Sequence, residues 1–233
     1  MRTWQVGDVM TRDVATVGAD TPYRQIIDVV TNRHISAVPV IDDFRRVLGV
    51  VSEADLLYKV ELVGEPRERR VFESRRRRTA RVKADAVTAR DLMTAPAVMT
   101  YVDTPIATAA KVMDREEVKR LPVIDELGRL VGIVTRSDLL KVHLRPDDDI
   151  RRDVVDDVLR RVLGVQDGVV SVEVSDGVVR LAGQLDHRSS VDIAARLTSN
   201  VSGVVAVVNE LGFDHDDSLL AELSSPGHPM GGV

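Results

Sequence analysis

The chain has 233 residues, enough for two or three small domains. It is 44% hydrophobic, 30% charged and 3% aromatic, and the absence of cysteine excludes disulfides, thiolate metal sites and cysteine nucleophiles. The net charge of −5 is unevenly placed: residues 58–87 carry ten Lys/Arg against five acids, a net +5, which leaves −10 on the remainder. No apolar run approaches the ~20 residues of a membrane span. The opening Met1-Arg2-Thr3-Trp4-Gln5 lacks the apolar stretch of a signal peptide, so a cytoplasmic location is expected.

In chain order, the first signal is Asp8-Val9-Met10-Thr11, followed by Asp20-Thr21-Pro22. Thr-Pro predicts a helix start, with Thr21 as cap and proline at the first helical position. Apolar residues at Ile26, Ile27, Val29 and Val30 continue that helix. A strand is predicted over Ala37–Ile41, a turn at Asp42-Asp43, and a second strand over Val47–Val51. Ser52 then caps a last helix, with Asp55 in its first turn.

The same series returns after residue 87. Residues 8–57 align with 91–140 at a constant offset of 83, without a gap and with about a third of positions identical. Asp91-Leu92-Met93-Thr94, Asp103-Thr104-Pro105, Pro122-Val123-Ile124-Asp125 and Gly132 through Leu140 repeat their counterparts, with Thr135 and Asp138 in the places of Ser52 and Asp55. Thr104 is the expected cap in this copy, the strands are Leu121–Ile124 and Leu130–Val134, and Gly128 marks the turn between them. Each copy reads β-α-β-β-α. One such unit buries too little surface to stand alone, so the copies are expected to share a core and leave clefts between them.

The Met-Thr start, the Asp-Thr-Pro opening, the Pro-Val-Ile-Asp strand and the Gly-h-h-Ser/Thr-x-x-Asp ending resemble CBS domains, in the tandem arrangement called a Bateman module. The resemblance implies an α/β (α+β) fold in which two repeats pack as a pseudo-symmetric pair. It implies a regulatory ligand in the clefts, either an adenine nucleotide (AMP, ADP or ATP) or S-adenosylmethionine, with no cofactor required. It also implies a homodimer. By resemblance Ser52 and Thr135 take the phosphate, Asp55 and Asp138 the ribose, and Ala15 and Val98 line the adenine pocket, while Lys119 and Arg120 sit where a base contacts phosphate. Physical chemistry agrees with those roles. Helix N-termini attract phosphate, and a carboxylate can accept two ribose hydroxyls. Each capping box alone is equally a purely structural motif. The first copy has Ser36-Ala37 where the second has Lys119-Arg120. Asymmetric occupancy is therefore expected, with the site that carries Arg120 binding more tightly.

Between the copies, residues 61–87 form a basic linker that includes Arg75-Arg76-Arg77-Arg78. Such a run is most often a solvated helix or loop; phosphate contacts or an acidic protein partner are alternatives. Nucleic acid is disfavoured, because the rest of the chain is acidic and only Tyr58 and Phe72 lie nearby for stacking.

After Pro146, Asp147-Asp148-Asp149 sit where a helix dipole favours acids. That helix is predicted over Ile150–Leu163, with Ile150, Val154, Val158 and Val155, Leu159, Val162 on adjoining apolar faces. A strand over Val169–Val174, a turn at Asp176-Gly177, a strand over Val178–Ala182, a helix over Ser189–Asn200 and a strand over Val204–Leu211 complete an α-β-β-α-β order. The segments Asp176–Gly183 and Val201–Asn209 resemble a BON domain. That family is associated with phospholipid or envelope contacts in exported proteins. Without an export signal or a basic amphipathic helix, a protein partner is expected here instead of a membrane.

The resulting division is 1–60 for the first repeat, 61–87 for the linker, 88–145 for the second repeat, 146–212 for the BON-like domain and 213–233 for a disordered tail. The five histidines are scattered, and no phosphate loop, nucleophile elbow or His-Glu-x-x-His is present. No metal site is expected. A non-enzymatic sensor that relays ligand binding through its C-terminal domain is the predicted function, with a ligand-independent dimeric scaffold as the alternative.

Overall fold

The computed structural model describes residues 4–62 and 75–217. They form two compact units, one of Gln5–Leu139 and one that joins Trp4 to the residues from Leu140 onward.

The first unit holds the repeat. Its first copy consists of α1 (Val6–Val9), β1 (Val17–Gly18), α2 (Tyr23–Asn32), β2 (Ala37–Ile41), β3 (Val47–Ser52) and α3 (Glu53–Glu61). After α4 (Arg75–Ala84), the second copy follows as α5 (Ala89–Leu92), β4 (Thr100–Tyr101), α6 (Ile106–Arg115), β5 (Arg120–Ile124), β6 (Leu130–Thr135) and α7 (Arg136–Leu140). The expected β-α-β-β-α order is therefore observed in both copies, each preceded by a one-turn helix that the periodicity had not shown. In each sheet the first strand pairs parallel to the second and the second antiparallel to the third. The register shift after Val40 recurs after Val123, so even the irregularity repeats at the offset of 83.

The sequence markers of the repeat turn out to be the joints between copies. Thr94 N–H donates to the Val50 carbonyl and Val50 N–H to Thr94; Thr11 and Ile133 exchange the same two bonds. The Met-Thr of one copy thus pairs with the Gly-h-h strand of the other. Gly49 is required there because a Cβ would lie 2.7 Å from Met93 Sδ and 2.9 Å from the Thr94 carbonyl. Gly132 meets Met10 Sδ at 2.6 Å in the same way. A second reciprocal joint links Ala89 N–H to the Thr21 carbonyl and Val6 N–H to that of Thr104. The core follows this exchange: Ala86, Ala89 and Leu92 are buried together with Val17, Ile26, Val30, Val38, Val40 and Val51 of the first copy.

Two helix starts differ from expectation. Pro22 and Pro105, in extended conformation, hold the cap positions of α2 and α6, and neither helix has a side-chain cap bond. Thr21 and Thr104 lie one residue further out, where their carbonyls receive the neighbouring copy's backbone. At the other end both helices close through a left-handed residue, His34 (φ 50) and Glu117 (φ 53). The Ile35 and Val118 amides reach back to the carbonyls of Val30 and Met113, a Schellman closure. This reversal delivers residues 36–37 and 119–120 onto the starts of β2 and β5.

The second unit contains a 3₁₀ turn (Lys141–Leu144), α8 (Asp147–Asp153), a π-helical continuation (Val154–Val162), β7 (Val170–Ser175), β8 (Val178–His187), α9 (Arg188–Ser199) and β9 (Ala206–His215). The predicted α-β-β-α-β order is present, with strand order β7-β8-β9. Ile150, Val154 and Val158 are fully buried against Val179 and Leu181, as their spacing implied. Val162, expected on the apolar face, is 56% exposed. The i→i+5 bonding of this stretch turns its last residues off the face. Asp176 (φ 51) and Gly177 (φ 74) are both left-handed, as a two-residue I′ hairpin turn demands. All three acids of the 147–149 run lie in the first turn of α8, and Asp147 has a further role: its carboxylate accepts the Asp176 and Gly177 amides at 2.9 Å each. β9 extends four residues beyond the predicted Leu211, so Phe213 and His215 are paired with Leu185 and His187. The disordered tail expected over 213–233 is therefore corrected at its start, since residues 213–215 belong to β9 and pair with β8; its remainder from 218, and residues 63–74 of the basic linker, lie outside the described residues. Trp4 packs in this unit, where the Arg145 guanidinium lies 5.8 Å from its ring and also bonds Ser202 and Asp153.

Candidate ligand-binding cleft

A cleft of about 480 Å³ opens between the two copies, within the size range of small-molecule sites. One wall comes from the first copy: Val50 and Ser52 at the end of β3, with Glu53 and Ala54 opening α3. The opposite wall comes from the second copy, through Thr94 and the segment Pro96-Ala97-Val98. Ser36 and Ala37 meet Glu117, Val118, Lys119 and Arg120 across the remaining side. The cleft thus unites apolar surface from Val50, Ala54, Val98 and Val118 with a helix start, the cations Lys119 and Arg120 and the carboxylates Glu53 and Glu117.

Each polar group is positioned by local structure. Ser52 caps α3 through a complete capping box: its side chain accepts the Asp55 amide, and Asp55 Oδ2 accepts the Ser52 amide at 2.8 Å. The Ser52 hydroxyl also donates to Asp55 Oδ2 at 2.7 Å. Thr135 and Asp138 repeat the arrangement, with Thr135 N–H and hydroxyl donating to Asp138 Oδ2 at 2.9 and 2.7 Å. Arg120 is half-buried and donates from Nη2 to Ser36 Oγ at 2.8 Å. Burial lowers the basicity of its guanidinium, while the Glu53 carboxylate acts in the opposite direction; an arginine remains charged under such a shift. Lys119 is exposed at the rim.

Of the residues singled out from sequence, Ser52, Val98, Lys119 and Arg120 line this one cleft. Arg120 therefore faces the Ser52 cap of the first copy, an arrangement that sequence could not supply. Ala15, Thr135 and Asp138 are partly buried and do not line it. Asp55 stands behind the wall. Its side chain is 10% exposed, and Oδ1 lies 2.5 Å from Lys83 Nζ, itself 9% exposed. Lys83, counted from sequence only as one of the linker's basic charges, is a buried group at the end of α4, and it also donates to Thr94 Oγ1 at 2.9 Å. Ser36, Thr94, Glu53 and Glu117 line the cleft without having been singled out. Thr94 was visible as a repeat marker, and Ser36 as the counterpart of Lys119. Nothing in the pattern marked the two glutamates. Among the described residues no group of three His, Asp or Glu could hold a metal ion, and no helix is long and apolar enough to cross a membrane.

Comparison with known proteins places this geometry. The CBS domain family matches residues 6–62 and 89–145, and the BON domain family matches 146–213. The uncharacterized protein MK0525 of Methanopyrus kandleri is 30% identical over 143 residues, 61% of this chain and 64% of that protein. The CBS domain-containing protein CBSX1, chloroplastic, of Arabidopsis thaliana is 28% identical over 155 residues, 61% of this chain and 65% of its own length. The chain thus spans just under two thirds of these relatives. A solved structure of CBSX2, from Arabidopsis thaliana, in complex with AMP is 27% identical with a TM-score of 0.52, covering 60% of this chain and 97% of that one. The matched segments coincide with the two copies of the repeat and with the C-terminal unit, and so the chain is a tandem pair of CBS domains followed by a BON domain.

Proposed function

We propose that the cleft between the CBS copies binds an adenine nucleotide, and that the protein is a regulatory sensor without catalytic activity. The observation that carries this reading is the meeting of Arg120 and Lys119 with the Ser52 cap across an apolar cleft of about 480 Å³. Cations and a helix start suit a phosphate, and Val50, Ala54, Val98 and Val118 suit a planar base. The likeness to a CBS pair solved with AMP supports AMP as the first ligand to try. S-adenosylmethionine shares the adenosyl group but carries a cationic sulfonium in place of phosphate, which Lys119 and Arg120 oppose and Glu53 and Glu117 favour, so it belongs in the same panel. The Arg120 cleft is the tighter of two sites in this reading, and Ala15, Thr135 and Asp138 belong to the weaker one. The BON domain serves as the output that engages a protein partner in the cytoplasm, and the active form is a homodimer. A panel of AMP, ADP, ATP and S-adenosylmethionine in thermal denaturation tests the reading. A ligand at 100 times its dissociation constant adds about 2.7 kcal/mol of stability. Phosphorylated ligands should raise Tm; a flat response across the panel would favour a ligand-independent scaffold.

A further inference from the structure

The buried pair of Asp55 and Lys83 stands where linker and cleft meet. Both oxygens of Asp55 are engaged, Oδ2 by the Ser52 amide and hydroxyl and Oδ1 by the Lys83 ammonium. The same ammonium holds Thr94, which forms part of the opposite wall. Lys83 is the penultimate residue of α4, whose first four residues are Arg75-Arg76-Arg77-Arg78. One buried ammonium therefore ties the arginine-bearing helix to the residues that frame the cleft. A charge this deep is costly to bury unless paired, so helix docking and the state of Asp55 are energetically one event.

We propose that Lys83 is a built-in competitor of the nucleotide: a ligand whose vicinal hydroxyls take Asp55 must displace Lys83, and α4 then undocks from α3. This inference rests on the nucleotide reading of the cleft and adds a regulatory consequence to it. Two partners that claim one carboxylate are linked reciprocally, so the ligand weakens helix docking by the same factor by which docking weakens the ligand. The apparent affinity falls by the fraction of molecules in which Asp55 is released. A cleft ligand thereby controls the docking of the helix that carries Arg75-Arg76-Arg77-Arg78, on an otherwise acidic protein.

The test is hydrogen exchange of the α4 amides in the full chain, with and without saturating AMP. Ligands ordinarily slow exchange; here AMP is expected to accelerate it several-fold in α4 while slowing it in β3 and β5. In 2′,3′-dideoxy-AMP, which lacks both hydroxyls, the phosphate and base remain, and α4 should keep its protection. Lys83→Met is expected to bind AMP at least tenfold more tightly than the wild type, because a buried pair leaves Asp55 free in no more than about a tenth of the molecules. The exchange measurement on the wild type decides the matter even if that variant folds poorly. AMP binding with α4 protection unchanged or increased overturns the latch and leaves the nucleotide reading standing. Absence of AMP binding in both wild type and Lys83→Met overturns both, whereas binding by the variant alone supports the latch in its strongest form.

Discussion

Removal of Lys83 has a calculable cost. The Lys83 and Asp55 side chains are 9% and 10% exposed, so Lys83→Met leaves a carboxylate in a site with little access to water. Breaking a buried pair by removing one partner costs about 3–5 kcal/mol, because the survivor is an uncompensated charge. Thr94 Oγ1 loses a donor as well. A unit of this size should then lose on the order of 10 °C in Tm. The double variant Asp55→Leu with Lys83→Met removes both charges. It forfeits the Asp55 half of the α3 capping box, about 1 kcal/mol, but strands no ion. It should therefore be more stable than Lys83→Met alone. Calorimetric or denaturant unfolding of the two single variants, the double variant and the wild type completes the cycle. A coupling energy above about 2 kcal/mol is expected; singles that add within about 0.5 kcal/mol would refute the assignment of Lys83 as a buried partner of Asp55.

Gly49→Ala and Gly132→Ala should each destabilise the repeat by about 1–3 kcal/mol, since the new Cβ would lie 2.9 Å from the Thr94 carbonyl or 3.1 Å from the Thr11 carbonyl, backbone atoms of the joint between copies that cannot swing aside as a methionine side chain can; a stable variant at either position would contradict the reciprocal joint. Gly177→Ala forces a side chain into a left-handed turn, with its Cβ 2.9 Å from the Gly203 carbonyl. It should cost about 1–2 kcal/mol, read by the fluorescence of Trp4, the single tryptophan, which packs in the same unit. The Thr88 hydroxyl, with help from backbone amides and Arg90, holds the Asp91 carboxyl below the usual carboxylate range. A carboxyl with a depressed folded pKa contributes stability above its unfolded value and loses it as pH falls through the folded one. Asp91→Asn should therefore lower stability at neutral pH and flatten the acid limb of a Tm-against-pH curve, and an unchanged limb would show that the cap is not titrating.

The fold was legible because an ungapped repeat states its own topology. Once residues 8–57 overlay 91–140, caps, strands and turn in one copy vouch for those in the other. Asp176-Gly177 was equally plain, because few dipeptides tolerate two consecutive left-handed residues. What sequence concealed was long-range. Met10-Thr11 and Gly132 are more than a hundred residues apart, and only the structure shows them as one joint. The site was half legible for the same reason. Ser52 was visible as the cap of a capping box and Arg120 through the resemblance to CBS domains, but their meeting across the copies was visible in neither. Lys83 was hidden by its neighbours, since a lysine after four arginines reads as one more solvated charge. The π-helical stretch after Asp153 shifted the apolar face by a bonding pattern that heptad-like spacing does not encode.

Whether this cleft holds a nucleotide phosphate is decided by calorimetric titration of AMP into the wild type and into Arg120→Ala. A charge-assisted hydrogen bond to phosphate contributes about 1.5–3 kcal/mol, and loss of about 2 kcal/mol corresponds to roughly a 30-fold weaker Kd. Saturable AMP binding by the wild type is expected, weakened by about that factor in the variant. Absence of heat with AMP, ADP and ATP, or equal affinity in both proteins, would contradict the assignment of this cleft as a nucleotide site.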